Sequence, residues 1–148
     1  MDTTVREAAV SDLSAVLRLY AQLHGEEQPE RPSLFQRQWE EILRGGVQHV
    51  VVAERGGRIL STCTAVIVPN LTHGRRPYAL IENVVTDEAH RGQGLASLCL
   101  AYAKELAVRR NCYKLMLMTG SKSEATLRFY ERAGYNRTDK TAFVQWLE

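Results

Sequence analysis

Hydrophobic residues recur along this chain in two periods, one typical of helices and one typical of strands, and glycines or prolines mark most of the changes between them. The N-terminal part predicts a strand over 5–10 and a helix that follows the capping residues Ser11 and Asp12. A polar loop over 26–32 leads to a second helix, which Ser33 begins. The apolar stripe of the first helix consists of Leu13, Val16, Leu17, Tyr20 and Leu23.

The rest of the chain starts as strands and ends as an alternation of strands and helices. Two runs rich in β-branched residues are joined by Arg55-Gly-Gly-Arg58, which indicates a hairpin. The elements predicted here are strands over 49–54, 59–68 and 78–86, a long helix led by Gly94, a strand over 114–118, a helix from Ser121 or Ser123 through Ala133, and a last strand over 141–147.

This order, βααβββαβαβ, predicts an α/β (α+β) fold in one domain over 1–148. A chain of 148 residues has the usual size of a single domain. The β-α-β unit over 78–118 implies one parallel crossover in an otherwise mostly antiparallel sheet.

The composition excludes several classes of protein. Hydrophobic residues make up 45% and charged residues 24% of the chain, which is typical of a soluble globular protein. The net charge of +2 is too small to indicate a nucleic-acid partner, and no apolar run is long enough to predict a membrane span. The expected location is therefore cytoplasmic.

Cysteine and histidine spacing indicates no metal site. Cys63, Cys99 and Cys112 form no CxxC pair, so we interpret them as small buried hydrophobic residues. A catalytic cysteine beside His49 or His73 remains an alternative at this stage.

The most specific local feature is Arg91-Gly-Gln-Gly-Leu-Ala96, between the end of a strand and the start of a long helix. The unpaired amides and partial positive charge of a helix N-terminus favour a phosphate group, and glycines let the backbone approach it closely. The dinucleotide motif GxGxxG is incomplete because Ser97 stands at its last position, and the lysine of a P-loop is missing. A tight turn without a ligand is the structural alternative.

The combination of R-x-x-G-x-A with the preceding strand Ile81-Glu-Asn-Val-Val-Thr86 and the segment over 125–135, which contains FYERAGY, resembles the GNAT (GCN5-related N-acetyltransferase) superfamily. The resemblance is strongest over 78–135. It implies a mixed, mostly antiparallel central sheet of six to seven strands flanked by about four helices. It also implies an acetyl-CoA-dependent N-acetyltransferase that acts on a primary amine.

The resemblance assigns cofactor contacts to two segments and one serine. The glycine loop would hold the pyrophosphate of acetyl-CoA through its backbone, and the end of the preceding strand would pair with the pantetheine arm. Many members have an asparagine where this chain has Ser123, which weakens one contact; the serines of 121–124 also fit a capping box. The implied cofactor residues are Val84, Val85, Thr86, Arg91, Gly92, Gln93, Gly94, Leu95, Ala96 and Ser123.

The resemblance also implies two catalytic residues. Tyr130 would protonate the departing thiolate, on a helix face separate from Phe129, which would face the core. Glu82, expected on the same strand face as Leu80 and Val84, would act as general base directly or through water. The alternatives are a core tyrosine and a carboxylate that only bonds nearby amides. We expect His73 and His90 to be solvated.

The sequence defines the acceptor amine less clearly than the cofactor. The loops over 25–32 and 69–77 are expected to frame it, and their charges disagree, because Glu26, Glu27 and Glu30 favour a cation while Arg75 and Arg76 favour an anion. The strand motif is also similar to glucosamine 6-phosphate acetyltransferases, one candidate activity. The alternative is an acyl-CoA-binding sensor with little turnover. The apolar C-terminal segment, with Phe143, Val144, Trp146 and Leu147, would supply either the interface of a homodimer or part of the core.

Overall fold

A computed structural model describes residues 2–148 and contains five strands and five α-helices. The strands are β1 (Thr3–Glu7), β2 (Gln48–Arg55), β3 (Arg58–Val68), β4 (Tyr78–Thr86) and β5 (Leu115–Leu117). The helices are α1 (Leu13–His24), α2 (Gln36–Arg44), the short α3 (Thr72–Arg75), α4 (Leu95–Arg109) and α5 (Glu124–Arg132). The predicted α/β class is confirmed, and so is the order of the elements up to the end of α5, except that the short α3 lies within the loop predicted over 69–77.

The strands form one sheet in the order β1-β2-β3-β4-β5. The first three pairings are antiparallel, and β4 pairs with β5 in parallel over three residues only, from Ala79 opposite Leu115 to Ile81 opposite Leu117. The parallel crossover is therefore confirmed. Beyond Ile81, β4 has no partner on that side among the described residues, and its backbone is open toward α5.

Helices cover both faces of the sheet. On one face, α4 packs on a core that includes Val51, Cys63 and Ile81. On the other face, α1 and α2 pack through Val16, Leu19 and Trp39 on the opposite side of the same strands. Alternating strand residues thus enter two different cores, which explains why β2 and β3 are buried along nearly their whole length.

The hairpin between β2 and β3 turns at Gly56 and Gly57, both with positive φ, of 59° and 73°. Two successive left-handed residues form the two-residue turn that matches the twist of antiparallel strands. The predicted hairpin is confirmed. The first strand, in contrast, covers 3–7 and not 5–10, because residues 10–12 form a 3-10 turn that leads into α1.

The strand predicted over 141–147 is wrong. These residues have no regular secondary structure, and Phe143, Trp146 and Leu147 are 91%, 82% and 90% exposed. A strand requires a neighbouring edge for its hydrogen bonds, and none lies beside this segment in the described part of the chain. The sheet therefore has five strands, fewer than the six to seven that the resemblance implied.

Two of the three cysteines are core residues, as expected. Cys63 and Cys99 are fully buried, and Cys112 is partly buried. Burial raises the pKa of the Cys63 thiol well above its usual range and that of Cys99 to about 11. Among residues 2–148, every helix is too short or too polar to span a lipid bilayer.

Candidate active site

The turn between β4 and α4 presents backbone amides to solvent, as the glycine pattern predicted. Gly92 and Gly94 have φ of 75° and 77°, and Gly94 is the N-cap of α4, which begins at Leu95. Residues that have a side chain rarely adopt this left-handed backbone conformation. No atom lies within 4 Å of a Cβ built at either glycine. The turn is therefore open, and the first amides of the 15-residue helix α4 are available to an anion.

A cavity of about 570 Å³ extends from this turn along the open end of β4 to α5. Eight of the ten expected cofactor residues line it, all in β4 or the glycine loop. Two further lining residues, Gln22 and Leu23, come from the last turns of α1. The lining residues are Gln22, Leu23, Val84, Val85, Thr86, Arg91, Gly92, Gly94, Leu95, Ala96, Ser97, Thr126, Phe129 and Tyr130.

The other two expected cofactor residues lie outside this lining. Gln93 accepts a hydrogen bond of 2.6 Å from Nη1 of Arg55, which connects the loop to the β2–β3 hairpin. Ser123 is the N-cap of α5, but its side chain makes no capping bond, and its amide donates to Oγ of Ser121 at 3.2 Å. Ser123 therefore begins the helix through its extended backbone and not through its hydroxyl.

Asp87, which follows β4 directly, is buried behind the glycine loop and was not predicted from the sequence. Its carboxylate accepts hydrogen bonds from the guanidinium of Arg18 in α1 and from the Ala89 amide at 3.1 Å, and His90 Nδ1 lies 3.1 Å away. Burial raises the pKa of Asp87, but the bonds from His90, Arg18 and Ala89 outweigh it and hold the pKa at about 2. His90, whose side chain is 30% exposed, is therefore only partly solvated and contacts Asp87, where it was expected to be free in solvent.

Two further hydrogen bonds join α1 to this turn and to the neighbouring strand β3. Oε1 of Gln22 accepts the Glu88 amide at 2.9 Å, and Arg18 also donates to the Ile59 carbonyl at 2.6 Å. The sequence carries one signal for these roles, a charged residue, Arg18, within the apolar stretch of α1. The structure shows that Arg18 is partly buried there. Nothing local could indicate a partner 69 residues away.

Tyr130 of α5 lines the same cavity as the glycine loop. Its ring packs edge-on against Phe129 and Tyr135, with ring centroids 5.1 and 6.3 Å apart. Burial raises the pKa of Tyr130, so its hydroxyl stays protonated at neutral pH. Phe129 does pack on the core as predicted, but it also lines the cavity.

Strand β4 contains a bulge where the reaction centre is expected. Thr62 pairs with Val85 and Thr64 with Glu82, so that Asn83 and Val84 together lie opposite Cys63. Asn83 has a φ of 53°. The extra residue reverses the alternation of the strand: Val84 packs on the α4 side and Val85 on the α1 side.

The bulge corrects the expected position of Glu82. We predicted that Glu82 shares a face with Leu80 and Val84, but Glu82 and Val84 point to opposite faces of the sheet. Glu82 is also exposed and does not line the cavity. The carboxylate is thus open to solvent on the α1 side of β4, next to Thr64 of the neighbouring strand.

The remaining candidates from the sequence, His49 and His73, contact other side chains and not a cysteine. His49 is buried, with Nδ1 2.6 Å from Oε1 of Glu7 and Nε2 3.2 Å from the Gly46 carbonyl, so it does not activate a cysteine. His73 is exposed and stacks on Tyr113 with ring centroids 3.8 Å apart. Within residues 2–148, no three potential ligands cluster to hold a metal ion.

The loop over 69–77 lies at the wrong end of β4 to frame the cavity. Val68 pairs with Tyr78, whereas the glycine loop follows Thr86 at the other end of the strand. Arg76 donates to the carbonyls of Asn111 and Cys112 at 3.1 Å each. Arg76 therefore stabilises the end of α4, and the acidic loop after α1 lies nearer the cavity.

The acetyltransferase (GNAT) family model matches residues 13–135, from the start of α1 to beyond the end of α5. The chain is also similar to the glucosamine 6-phosphate N-acetyltransferase of Trypanosoma brucei brucei. The two are 31% identical over 142 residues, which are 95% of this chain and 93% of that enzyme.

Solved structures show the same fold over the whole length. An acetyltransferase of Agrobacterium tumefaciens superposes with a TM-score of 0.85 and 36% identity, over 97% of this chain and 99% of that chain. The glucosamine-6-phosphate N-acetyltransferase of Arabidopsis thaliana superposes with a TM-score of 0.86 over 100% of both chains, at 23% identity. The second likeness supports the fold alone.

Proposed function

The chain belongs to the GNAT family of acetyltransferases, as its sequence motifs predicted, and on that basis we propose that it acetylates the amino group of an amino sugar phosphate such as glucosamine 6-phosphate. The family membership makes it an enzyme that uses acetyl-CoA as acetyl donor. The observation that carries the choice of acceptor is the 31% identity with the trypanosome enzyme over 95% of this chain.

The open turn and the cavity fit acetyl-CoA. The amides at the start of α4, after Gly92 and Gly94, would hold the pyrophosphate, and the unpaired backbone of Val84 to Thr86 would bond the pantetheine arm as an added strand. Gln93 would stabilise the loop through Arg55, and Arg91, Leu95 and Ala96 would complete the wall.

Transfer would occur directly in a ternary complex. Glu82, or a water that it orients, would take the proton from the attacking ammonium, for which its exposed position is suitable. Tyr130 would donate its hydroxyl proton to the departing sulfur, and its raised pKa keeps that proton in place. The Val84 amide would stabilise the charge that develops on the thioester oxygen.

A cationic amine is the second candidate for the acceptor. Glu26 and Glu27 follow α1, whose last turns line the cavity, and their charges attract an ammonium group. Arg76, which would have favoured an anion, is hydrogen-bonded elsewhere.

Calorimetric titration with acetyl-CoA, followed by thiol release with a panel of amines, tests the proposal. Glucosamine 6-phosphate should give the highest kcat/KM, and glucosamine, its matched control without the phosphate, a much lower one. Higher turnover with polyamines or aminoglycosides would contradict the sugar-phosphate acceptor. Binding without turnover on any amine would favour the sensor.

We also propose that the enzyme is a homodimer whose interface contains the C-terminal segment. Four large apolar side chains over 143–147 are exposed, an arrangement that water disfavours and that a second copy would bury. Sedimentation should give twice the chain mass of 16.7 kDa. Trp146→Ser should weaken the dimer, while Leu71→Ser, an equally exposed control outside the segment, should not; a monomer at micromolar concentration would refute the proposal.

A further inference from the structure

The β2–β3 hairpin extends beyond the end of β4, beside the glycine loop. Ser61 pairs with Thr86, the last residue of β4, and the Asp87 amide donates to the Leu60 carbonyl at 2.8 Å, so residues 55–59 lie past the strand. With the acetyl group of acetyl-CoA at the bulge of β4 and the pyrophosphate at the glycine loop, the adenosine would lie beyond the loop. The hairpin is therefore at the end of the sheet where the 3′-phosphate of the cofactor would be.

Two arginines lie directly opposite each other at this end of the hairpin. Arg55 pairs with Arg58 across the turn, and like charges in such a pair repel each other. Nε of Arg55 donates to Oγ1 of Thr3 at 3.0 Å, and its Nη1 donates to Oε1 of Gln93, in the glycine loop, at 2.6 Å. Both acceptors are neutral, so these bonds fix the position of the guanidinium without balancing its charge. A bound anion would reduce the repulsion between the two arginines.

The Arg55 guanidinium differs in this respect from the other arginines that the fold holds in place. Arg6 bonds the carboxylates of Asp12 and Glu54, and Arg18 bonds that of Asp87. Among residues 2–148, by contrast, no carboxylate oxygen lies within 4 Å of the Arg55 guanidinium. Because Glu54 and Asp87 are already bonded to other arginines, the positive charge of Arg55 is available to a ligand at the glycine loop.

We propose that Arg55 binds the 3′-phosphate of acetyl-CoA and thereby distinguishes this cofactor from its 3′-dephospho form. A phosphomonoester is a dianion with several acceptor oxygens, and a guanidinium that is fixed in position suits it well. Nη2 of Arg55 makes no hydrogen bond within residues 2–148 and is free for this contact. Arg58 would add a second positive charge from across the turn. The inference rests on the proposed function, since it concerns the same cofactor site, but it is independent of the acceptor amine.

Calorimetric titration without an amine compares acetyl-CoA with acetyl-3′-dephospho-CoA, which lacks only that phosphate. The wild type should bind acetyl-CoA about tenfold more tightly, the effect of one hydrogen bond between charged groups. Arg55→Gln should reduce this ratio to about twofold, because it weakens the binding of acetyl-CoA and leaves that of the dephospho form nearly unchanged. Arg110→Gln removes an exposed charge at the other end of α4, and this matched control should keep the tenfold ratio.

Gln93→Glu tests the same contact with the Arg55 side chain intact. A carboxylate in place of the Gln93 amide would pair with Arg55 and balance its charge, so this variant should also show a reduced ratio. A ratio near one in the wild type, or a tenfold ratio in Arg55→Gln, would refute the proposal. An equal loss of affinity for both cofactors in Arg55→Gln would refute it too, since Arg55 would then only support the glycine loop. Failure of the wild type to bind either cofactor would overturn the acetyl-CoA site itself, and this proposal with it.

Discussion

The carboxylate of Asp87 accepts a hydrogen bond from the guanidinium of Arg18, which joins the middle of α1 to the residue directly after β4. The side chain of Asp87 is buried, with 5% of it exposed, and that of Arg18 is partly buried, with 20% exposed. A charge pair in this environment holds its geometry well, because separating the partners would leave a charge in a nonpolar setting. The Arg18–Asp87 pair therefore fixes the position of the chain directly before the glycine loop.

Asp87→Asn should destabilise the protein by about 3 kcal/mol at pH 7, because it leaves Arg18 without its charge partner. The native pKa of about 2 is below the unfolded value of about 3.9, so the carboxylate stabilises the fold above pH 4 and loses this effect as the pH falls toward 2. Urea unfolding of both proteins should show their difference shrinking by about 2 kcal/mol between pH 5 and 2. Asp139→Asn, at an exposed position, is the control; a pH-independent difference would contradict this account.

Gly94→Ala should lower the affinity for acetyl-CoA about tenfold, because the added Cβ strains a residue at φ of 77° and takes space where the phosphate approaches. Gly57→Ala is matched to it, with a φ of 73° and equally open surroundings in the β2–β3 turn. Both should lose about 1 kcal/mol of stability, but only Gly94→Ala should bind less tightly in calorimetry. Unchanged affinity would remove the glycine turn from the binding site.

Tyr130→Phe should reduce kcat about a hundredfold while acetyl-CoA binding stays within about twofold, because general acid catalysis acts only on the departing sulfur. Since burial raises the pKa of Tyr130, the wild-type rate should hold until the pH exceeds the ordinary tyrosine value of about 10. Steady-state rates across pH measure both effects. A phenylalanine variant with wild-type turnover would eliminate Tyr130 as the acid.

Glu82→Gln should lower kcat/KM for the amine about a hundredfold and leave the affinity for acetyl-CoA unchanged, because the amide cannot accept the proton of the ammonium. Glu105→Gln, on the exposed side of α4, is the matched control and should keep the wild-type kcat/KM. If Glu82→Gln kept it as well, another group would be the base.

Local patterns predicted the elements and the glycine loop, because a turn, a cap or an amphipathic stripe depends on neighbours within a few residues. The hairpin at Gly56 and Gly57 and the start of α4 at Gly94 are of this kind. The Arg18–Asp87 pair is not, since 69 residues separate its members and only the packing of α1 on the sheet brings them together.

The face of Glu82 was predicted wrongly for a specific reason. Alternation with a period of two holds only while the pairing with the neighbouring strand is regular, and the bulge opposite Cys63 shifts that pairing by one residue. The C-terminal strand failed similarly: its apolar pattern suits a strand, but the partner edge that would complete it is not beside it in the chain's own sheet.

The burial of the cysteines makes this enzyme convenient to assay. Released coenzyme A is usually followed with a disulfide reagent that reacts with thiolates, and Cys63 and Cys99 are fully enclosed, with raised pKa values. Only Cys112, which is partly buried, can consume the reagent in the native protein. The background reaction without substrate therefore involves at most one protein thiol per chain. A faster second and third equivalent would be a direct signal that the core between β3 and α4 has opened.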